Sequence, residues 1–125
     1  MKRFNTVITA TIIDEYIDKL KEYCDIKVTG WVKTGVLMTE EELQEELKDA
    51  EILIVGYEMI TESLLNKLKN LKVIACTRAN PVNIDLKATS KLDIPVIYAP
   101  GRNANSAAEF TMGLLLSEVR HIARA

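Results

Sequence analysis

The sequence predicts a doubly wound α/β domain, with five parallel strands in the order 2-1-3-4-5 and one long helix after them. Three observations predict it. Short apolar, β-branched runs alternate five times with helical segments. The connections are short, which suits right-handed crossovers that bring each new strand back parallel to the sheet. Polar loops rich in Gly, Asn and Arg follow the third, fourth and fifth runs, as at the carboxyl edge of such a sheet, where ligands bind.

Residues 4–10 (FNTVITA) form an uncharged strand of the kind buried on both faces. Thr11 or Asp14 caps a helix reaching to about Cys24, with Ile13, Tyr16, Ile17 and Leu20 inward. Residues 25–29 are a shorter strand, and 30–38 a loop holding the single Trp. Thr39 and Glu42 have capping-box spacing and open an acidic helix to Lys48, whose glutamates read as a solvated face. Residues 52–55 (ILIV) are the third strand, and Thr61 starts a helix with Leu64, Leu65 and Leu68 inward. Residues 72–77 are the fourth strand, 84–92 a short helix, and 95–98 the fifth strand. With this order the domain is of flavodoxin-like type.

The last stretch, 95–125, is organised differently. Ser106 is read as an N-cap, with Glu109 at the capping-box position, and nothing breaks the helix before Ala125. Such a helix is roughly 28 Å long at about 1.5 Å per residue. Met112, Leu115, Leu116, Val119, Ile122 and Ala123 form one apolar stripe; Ala107, Phe110 and Leu114 form another. A helix covering only its own sheet needs a single stripe. Two stripes predict burial from two directions, hence a partner beyond residues 1–104. The expectation is a fragment, and, for the chain alone, a homodimer through the 106–125 helix.

Composition narrows the classes. A net charge of −2 and scattered Lys and Arg leave no basic patch for nucleic acid. No apolar run reaches membrane-spanning length, and Met1-Lys2-Arg3 leads into a strand, so the expected location is the cytoplasm. Cys24 and Cys76 lie outside metal or redox spacings and read as buried thiols; no metal site is expected.

Three loops gather at the carboxyl edge: Gly56-Tyr57-Glu58, residues 77–83 and residues 98–105. They collect a Tyr, two Arg and several Asn at the ends of apolar strands. Turn chemistry accounts for much of this, and Arg78 has two readings, a ligand contact or an ion pair with Glu58 or Glu109. Two other uses of the fold fail here. A phosphoacceptor receiver domain needs acids after the first strand and an Asp at the end of the third, where this sequence has Thr9-Ala10-Thr11 and Gly56-Tyr57. A flavodoxin needs a hydroxyl- and Gly-rich phosphate loop after the first strand, and Thr9-Ala10-Thr11-Ile12-Ile13 is too apolar.

With these motifs placed, the chain resembles the NAD-dependent D-2-hydroxyacid dehydrogenases, nearest the D-3-phosphoglycerate dehydrogenase branch. The resemblance rests on Arg78-Ala79, Asn83-Ile84-Asp85, Ile94-Pro95-Val96, Pro100-Gly101 with Asn103, and Ala108-Glu109, in that order. One departure is Asn80-Pro81-Val82, where the family has a Gly-rich turn; Pro81 offers no backbone N–H.

The resemblance implies a flavodoxin-like substrate domain over 1–104 and an interdomain crossover helix over 105–125, leading to a Rossmann NAD domain. The G-x-G-x-x-G turn of such a domain does not occur in these residues. The family's catalytic Arg, Glu and His belong to later sequence, so no catalytic residue is assigned in this chain, and His121 is read as a polar residue near a helix C-terminus. Gly56, Tyr57, Arg78, Ala79 and Asn80 are the implied contacts to the carboxylate of a 2-hydroxy or 2-oxo acid. Asn103, Ser106 and Glu109 would face the nicotinamide side, and for Ser106 and Glu109 capping is the other reading. The fragment is thus expected to bind substrate without turnover and without tight NAD binding. A free-standing ligand-binding or dimerisation module is the alternative.

Overall fold

The computed structural model describes residues 2–124. Its elements run β1 (Phe4–Ile8), α1 (Asp14–Lys21), β2 (Cys24–Val28), α2 (Trp31–Thr34), α3 (Glu40–Leu47) and β3 (Ile52–Val55). Then follow α4 (Glu62–Lys67), β4 (Val73–Cys76), α5 (Leu86–Lys91), β5 (Val96–Ile97), α6 (Ala104–Val119) and a 3₁₀ turn, Ile122–Arg124. The strands form one parallel sheet in the order β2-β1-β3-β4-β5, as the alternation predicts. Ile8 of β1 lies between Val28 and Ile54, which sets the register at the carboxyl edge.

Side chains alternate between the two faces of a strand, so the sheet divides its apolar residues in two. Val7, Leu53, Val55, Ile74 and Cys76 join Leu43 and Leu47 of α3, Leu64 and Leu65 of α4 and Ala88 of α5 in the main core. Leu53 and Leu64 have no exposed surface; truncating such a leucine to Ala costs about 2–5 kcal/mol. On the other face Ile8, Ala10 and Ile54 pack with Ile12 and with Leu20 of α1. This second layer is thin: among the helices only α1 contributes to it, and Ile97 of β5 is left 61% exposed.

Caps set the helix starts. The Thr39 hydroxyl accepts the Glu42 N–H at 3.3 Å while the Glu42 carboxylate accepts the Thr39 N–H at 2.8 Å, the predicted capping box. Thr61 accepts the Leu64 N–H at 3.1 Å at the start of α4, and Leu64, Leu65 and Leu68 are buried as expected. Asp85 accepts the N–H groups of Lys87 and Ala88, so α5 starts there rather than at Ile84.

Several boundaries differ from expectation. The N-cap of α1 is Ile13 and makes no side-chain cap; Asp14 is the first helical residue, where a carboxylate suits the helix dipole. That helix is two turns long; Leu20 packs against the sheet, Ile17 is half-buried, and Ile13 and Tyr16 stay exposed. The 30–38 loop contains one helical turn, α2. Strands β4 and β5 are trimmed at both ends.

The largest correction concerns the last helix. Gly101, at φ +72°, turns the chain early, and the Asn103 carbonyl accepts the Ala107 N–H at 2.9 Å. Asn103 is therefore the N-cap, Ser106 lies within the first turn, and the Ser106–Glu109 capping box does not form. The helix ends at Val119, because His121 takes a left-handed conformation at φ +55° and donates its N–H to Glu118. This is the capping geometry that closes many helices; His121 lies beyond the helix, and Ala125 lies outside the described residues. Sixteen residues span about 24 Å. Neither apolar stripe is covered within the chain: no residue of α6 is buried, and Phe110 is 70% exposed. Cys24 and Cys76 are buried free thiols, as expected.

Candidate functional site

At the carboxyl edge, the loops after β3, β4 and β5 enclose an open cleft of about 480 Å³ lined by Tyr57, Arg78, Ala79, Asn80, Val82, Arg102 and Asn103. Asn83 holds the first two loops together. Its buried amide donates to the Glu58 carbonyl at 2.8 Å and to the Gly56 carbonyl at 3.4 Å, and its Oδ1 lies 3.9 Å from the Cys76 thiol. The Ile60 N–H donates to the Asn83 carbonyl at 2.8 Å, and the Asp85 N–H to the Ile60 carbonyl at 2.9 Å. Pro81 is buried, and its carbonyl accepts the Ile84 N–H at 3.1 Å, closing the turn that delivers Asn83. The proline that replaces a Gly-rich turn is thus part of the frame. The third loop joins through the Ala99 N–H, which donates to the Arg78 carbonyl at 3.1 Å.

Tyr57 is 50% exposed and stands between two neighbours. The Trp31 ring meets its edge with centroids 4.8 Å apart and planes at 62°, an arrangement aromatic pairs favour. The Arg78 guanidinium sits 5.5 Å from the Tyr57 ring centroid, within cation–π range. Arg78 makes no ion pair with either acid considered from sequence. Glu58 is fully buried and accepts the Trp31 N–H at 2.9 Å, while its Oε2, like the Thr9 hydroxyl, has no partner among the described residues. Glu109 is exposed on α6. Among the described residues the arginines held in ion pairs are Arg3 and Arg124, neither of which lines the cleft.

Of the residues singled out from sequence, Tyr57, Arg78, Ala79, Asn80 and Asn103 share this cleft. Gly56 lies behind it, buried; a Cβ there would come 3.4 Å from the Ala10 Cα. Ser106 and Glu109 are exposed on α6 and line no part of the cleft. Sequence reasoning did not single out Arg102 in the cleft wall, Asn83 as the tie between loops, or Trp31 beside Tyr57. Arg102 had a signal, its place after Gly101 in a polar loop; the other two depend on contacts remote in sequence. A larger hollow, about 660 Å³, lies where β1 and β2 begin. Its Arg3 is held by Asp25 and two carbonyls, and its Lys48 by Glu45. Among the described residues there is no cluster of three His, Cys, Asp or Glu able to hold a metal, and no helix long and apolar enough to cross a membrane.

Comparison with known proteins places this geometry. Residues 6–120 match the family model of the D-isomer specific 2-hydroxyacid dehydrogenase catalytic domain. The chain is 35% identical over 120 residues to the D-3-phosphoglycerate dehydrogenase of Methanocaldococcus jannaschii, covering 95% of this chain and 22% of that protein. It is 36% identical over 93 residues to the hydroxypyruvate reductase of Thermotoga maritima, covering 74% and 30%. Among solved structures it superposes on the TT0316 protein of Thermus thermophilus with a TM-score of 0.82 at 27% identity, covering 95% of this chain and 38% of that one. The D-lactate dehydrogenase of Aquifex aeolicus, solved with NAD and lactic acid, gives a TM-score of 0.71 at 30% identity, covering 90% and 33%. The chain therefore spans between 22% and 38% of the length of these relatives. By the match over 6–120 and the shared sheet order, the chain belongs to the D-isomer specific 2-hydroxyacid dehydrogenase family.

Proposed function

We propose that residues 1–104 bind and orient a D-2-hydroxy acid, or the matching 2-oxo acid, for hydride exchange with NAD in a cytoplasmic enzyme of this family. The acid in one such relative is 3-phosphoglycerate by name, and a similar substrate suits this chain. The observation that carries the reading is the cleft itself. Tyr57, Arg78, Asn80 and Asn103 converge at the carboxyl edge, and among the described residues no acidic one lines the cleft. A substrate carboxylate is then met by the Arg78 guanidinium and by the backbone of Gly56-Tyr57 and Ala79-Asn80, charge-assisted bonding of the kind that holds carboxylates firmly.

NAD, when bound, supplies the hydride acceptor. The chain's glycines stand at 30, 35, 56, 101 and 113, so no G-x-G-x-x-G turn is available to cradle a pyrophosphate, and the residues present do not fit the dinucleotide. We place it on a Rossmann domain joined through residues 105–125, with the groups that take the hydroxyl proton also outside this chain. The role of Gly56, Tyr57, Arg78, Ala79 and Asn80 is to fix the acid so that its C2 hydrogen faces the nicotinamide. Asn103 belongs to that side of the cleft. For Ser106 and Glu109, exposed within α6, contact with the cofactor domain replaces the capping role.

The apolar surface of α6 supports two further parts of the proposal: one stripe meets the cofactor domain, and in the chain alone two copies pair through residues 106–125. The test of function is direct. D-Lactate or D-3-phosphoglycerate added to the chain shifts the amide resonances of Gly56, Tyr57, Ala79 and Asn80, while calorimetry detects no micromolar NAD binding and no 2-hydroxy acid is turned over. Micromolar NAD binding, or cleft amides unmoved by either acid at about 50 mM, refutes it.

A further inference from the structure

We infer that Arg102 is a specificity-determining residue of the cleft, selecting 2-hydroxy acids that carry a second anionic group; this rests on the substrate-binding reading above. Arg102 enters the wall because the loop after β5 turns at Gly101, and its own N–H donates to the Ala99 carbonyl at 3.4 Å. Its Nη1 donates to the Thr77 carbonyl at the end of β4, next to Arg78 in the chain. That bond holds one edge of the guanidinium and leaves the remaining N–H donors of a planar fork for a ligand. Arg78 and Arg102 thus line one cleft with Asn80 and Asn103, and among the described residues no Asp or Glu lines it with them. Neither arginine has an ion-pair partner among the described residues, whereas Arg3 and Arg124 do.

Two unpaired guanidinium groups facing one solvent-open cleft repel each other, an arrangement that binding of negative charge relieves. A monoanion such as lactate is matched by the Arg78 side alone. An acid with a phosphate or second carboxylate places the extra charge against Arg102, where its planar donors pair with two oxygens at once. Asn80 and Asn103 add neutral donors to the same cleft.

The experiment titrates the 125-residue chain by NMR with D-lactate, D-malate and D-3-phosphoglycerate at constant ionic strength, in unmodified, R102Q and R102K forms. The expected result is a dissociation constant at least about tenfold lower for the two acids with a second anionic group than for lactate in the unmodified chain, the factor one charge-assisted bond supplies. R102Q removes that preference, and R102K restores part of it. Equal affinity for lactate and the other two acids in the unmodified chain overturns the inference and leaves the substrate-binding reading standing, and this needs no variant to fold. So does a preference that survives R102Q with an unchanged circular dichroism spectrum. If no acid moves the cleft amides, the substrate-binding reading fails first and the inference falls with it.

Discussion

Gly30→Ala tests how the turn that carries Trp31 to Tyr57 is built. Gly30 is buried at the turn into α2, with φ +72° and ψ −150°, a region that essentially only glycine occupies. A Cβ there would lie 2.7 Å from the Glu58 Oε1, 2.8 Å from the Met38 Cε and 3.4 Å from the Thr9 Cβ. Met38 is the flexible end of a side chain and can yield. Glu58 cannot yield freely, because the same Oε1 accepts the Trp31 N–H at 2.9 Å in a fully buried position. Backbone strain of about 1–3 kcal/mol adds to about 1–3 kcal/mol for a buried hydrogen bond lost, so about 4 kcal/mol is the central expectation. Unfolding entropy is about 2.1 cal/mol/K per residue, or about 0.26 kcal/mol/K for the 125-residue chain. The melting temperature then falls by about 15 °C. Gly35→Ala is the control: Gly35 has φ +71° with nothing within 4 Å of an added Cβ, so only strain of about 1 kcal/mol applies, about 4 °C. Thermal melts of both variants by circular dichroism decide it. If Gly30→Ala loses no more than Gly35→Ala, the packing of Glu58 against Gly30 is not what the turn depends on.

Asn83→Leu leaves the Gly56 and Glu58 carbonyls without their buried donor and should cost about 2–4 kcal/mol in urea unfolding, with faster amide exchange in both loops; unchanged exchange would mean the loops are held by other contacts. Arg78→Ala should weaken acid binding at least about tenfold and leave the melting temperature within about 2 °C, since Arg78 has no ion-pair partner to strand; a large fall in melting temperature with unchanged binding contradicts this. The Glu51 carboxyl is drawn down to about 2 by hydrogen bonds from Lys72 and Lys2 and from the Asn5 N–H. A depressed folded pKa gives stability that is present above the unfolded value of 4.5 and is lost as pH falls through it toward 2. Glu51→Gln should therefore flatten the fall in melting temperature between about pH 4.5 and 2.5, and an unchanged slope would exclude that carboxyl as its source. The unmodified chain should sediment as a dimer at high micromolar concentration, and Leu115→Lys with Val119→Lys should shift it toward monomer; a monomeric unmodified chain ends that proposal.

Periodicity and end-chemistry are local, and what they govern was legible in the chain. The apolar runs at 52–55 and 72–77, with Thr39, Thr61 and three inward leucines of the α4 segment, led directly to the parallel sheet and two of its caps. Parallel order then placed the loops after β3, β4 and β5 on one edge, and five of the eight residues singled out meet there. Tertiary contacts decided the rest. Whether Arg78 paired with Glu58 depended on where Glu58 points, and that was set by the Trp31 N–H, 27 positions away. Arg102 and Asn83 act through carbonyls of Thr77, Gly56 and Glu58, groups every residue possesses and no side-chain pattern marks. The start of α6 moved from Ser106 to Asn103 because the Gly101 turn brought the backbone into helix before the hydroxyl was reached. A capping pattern states only that a side chain is able to close a helix; the path of the backbone into it determines which residue does.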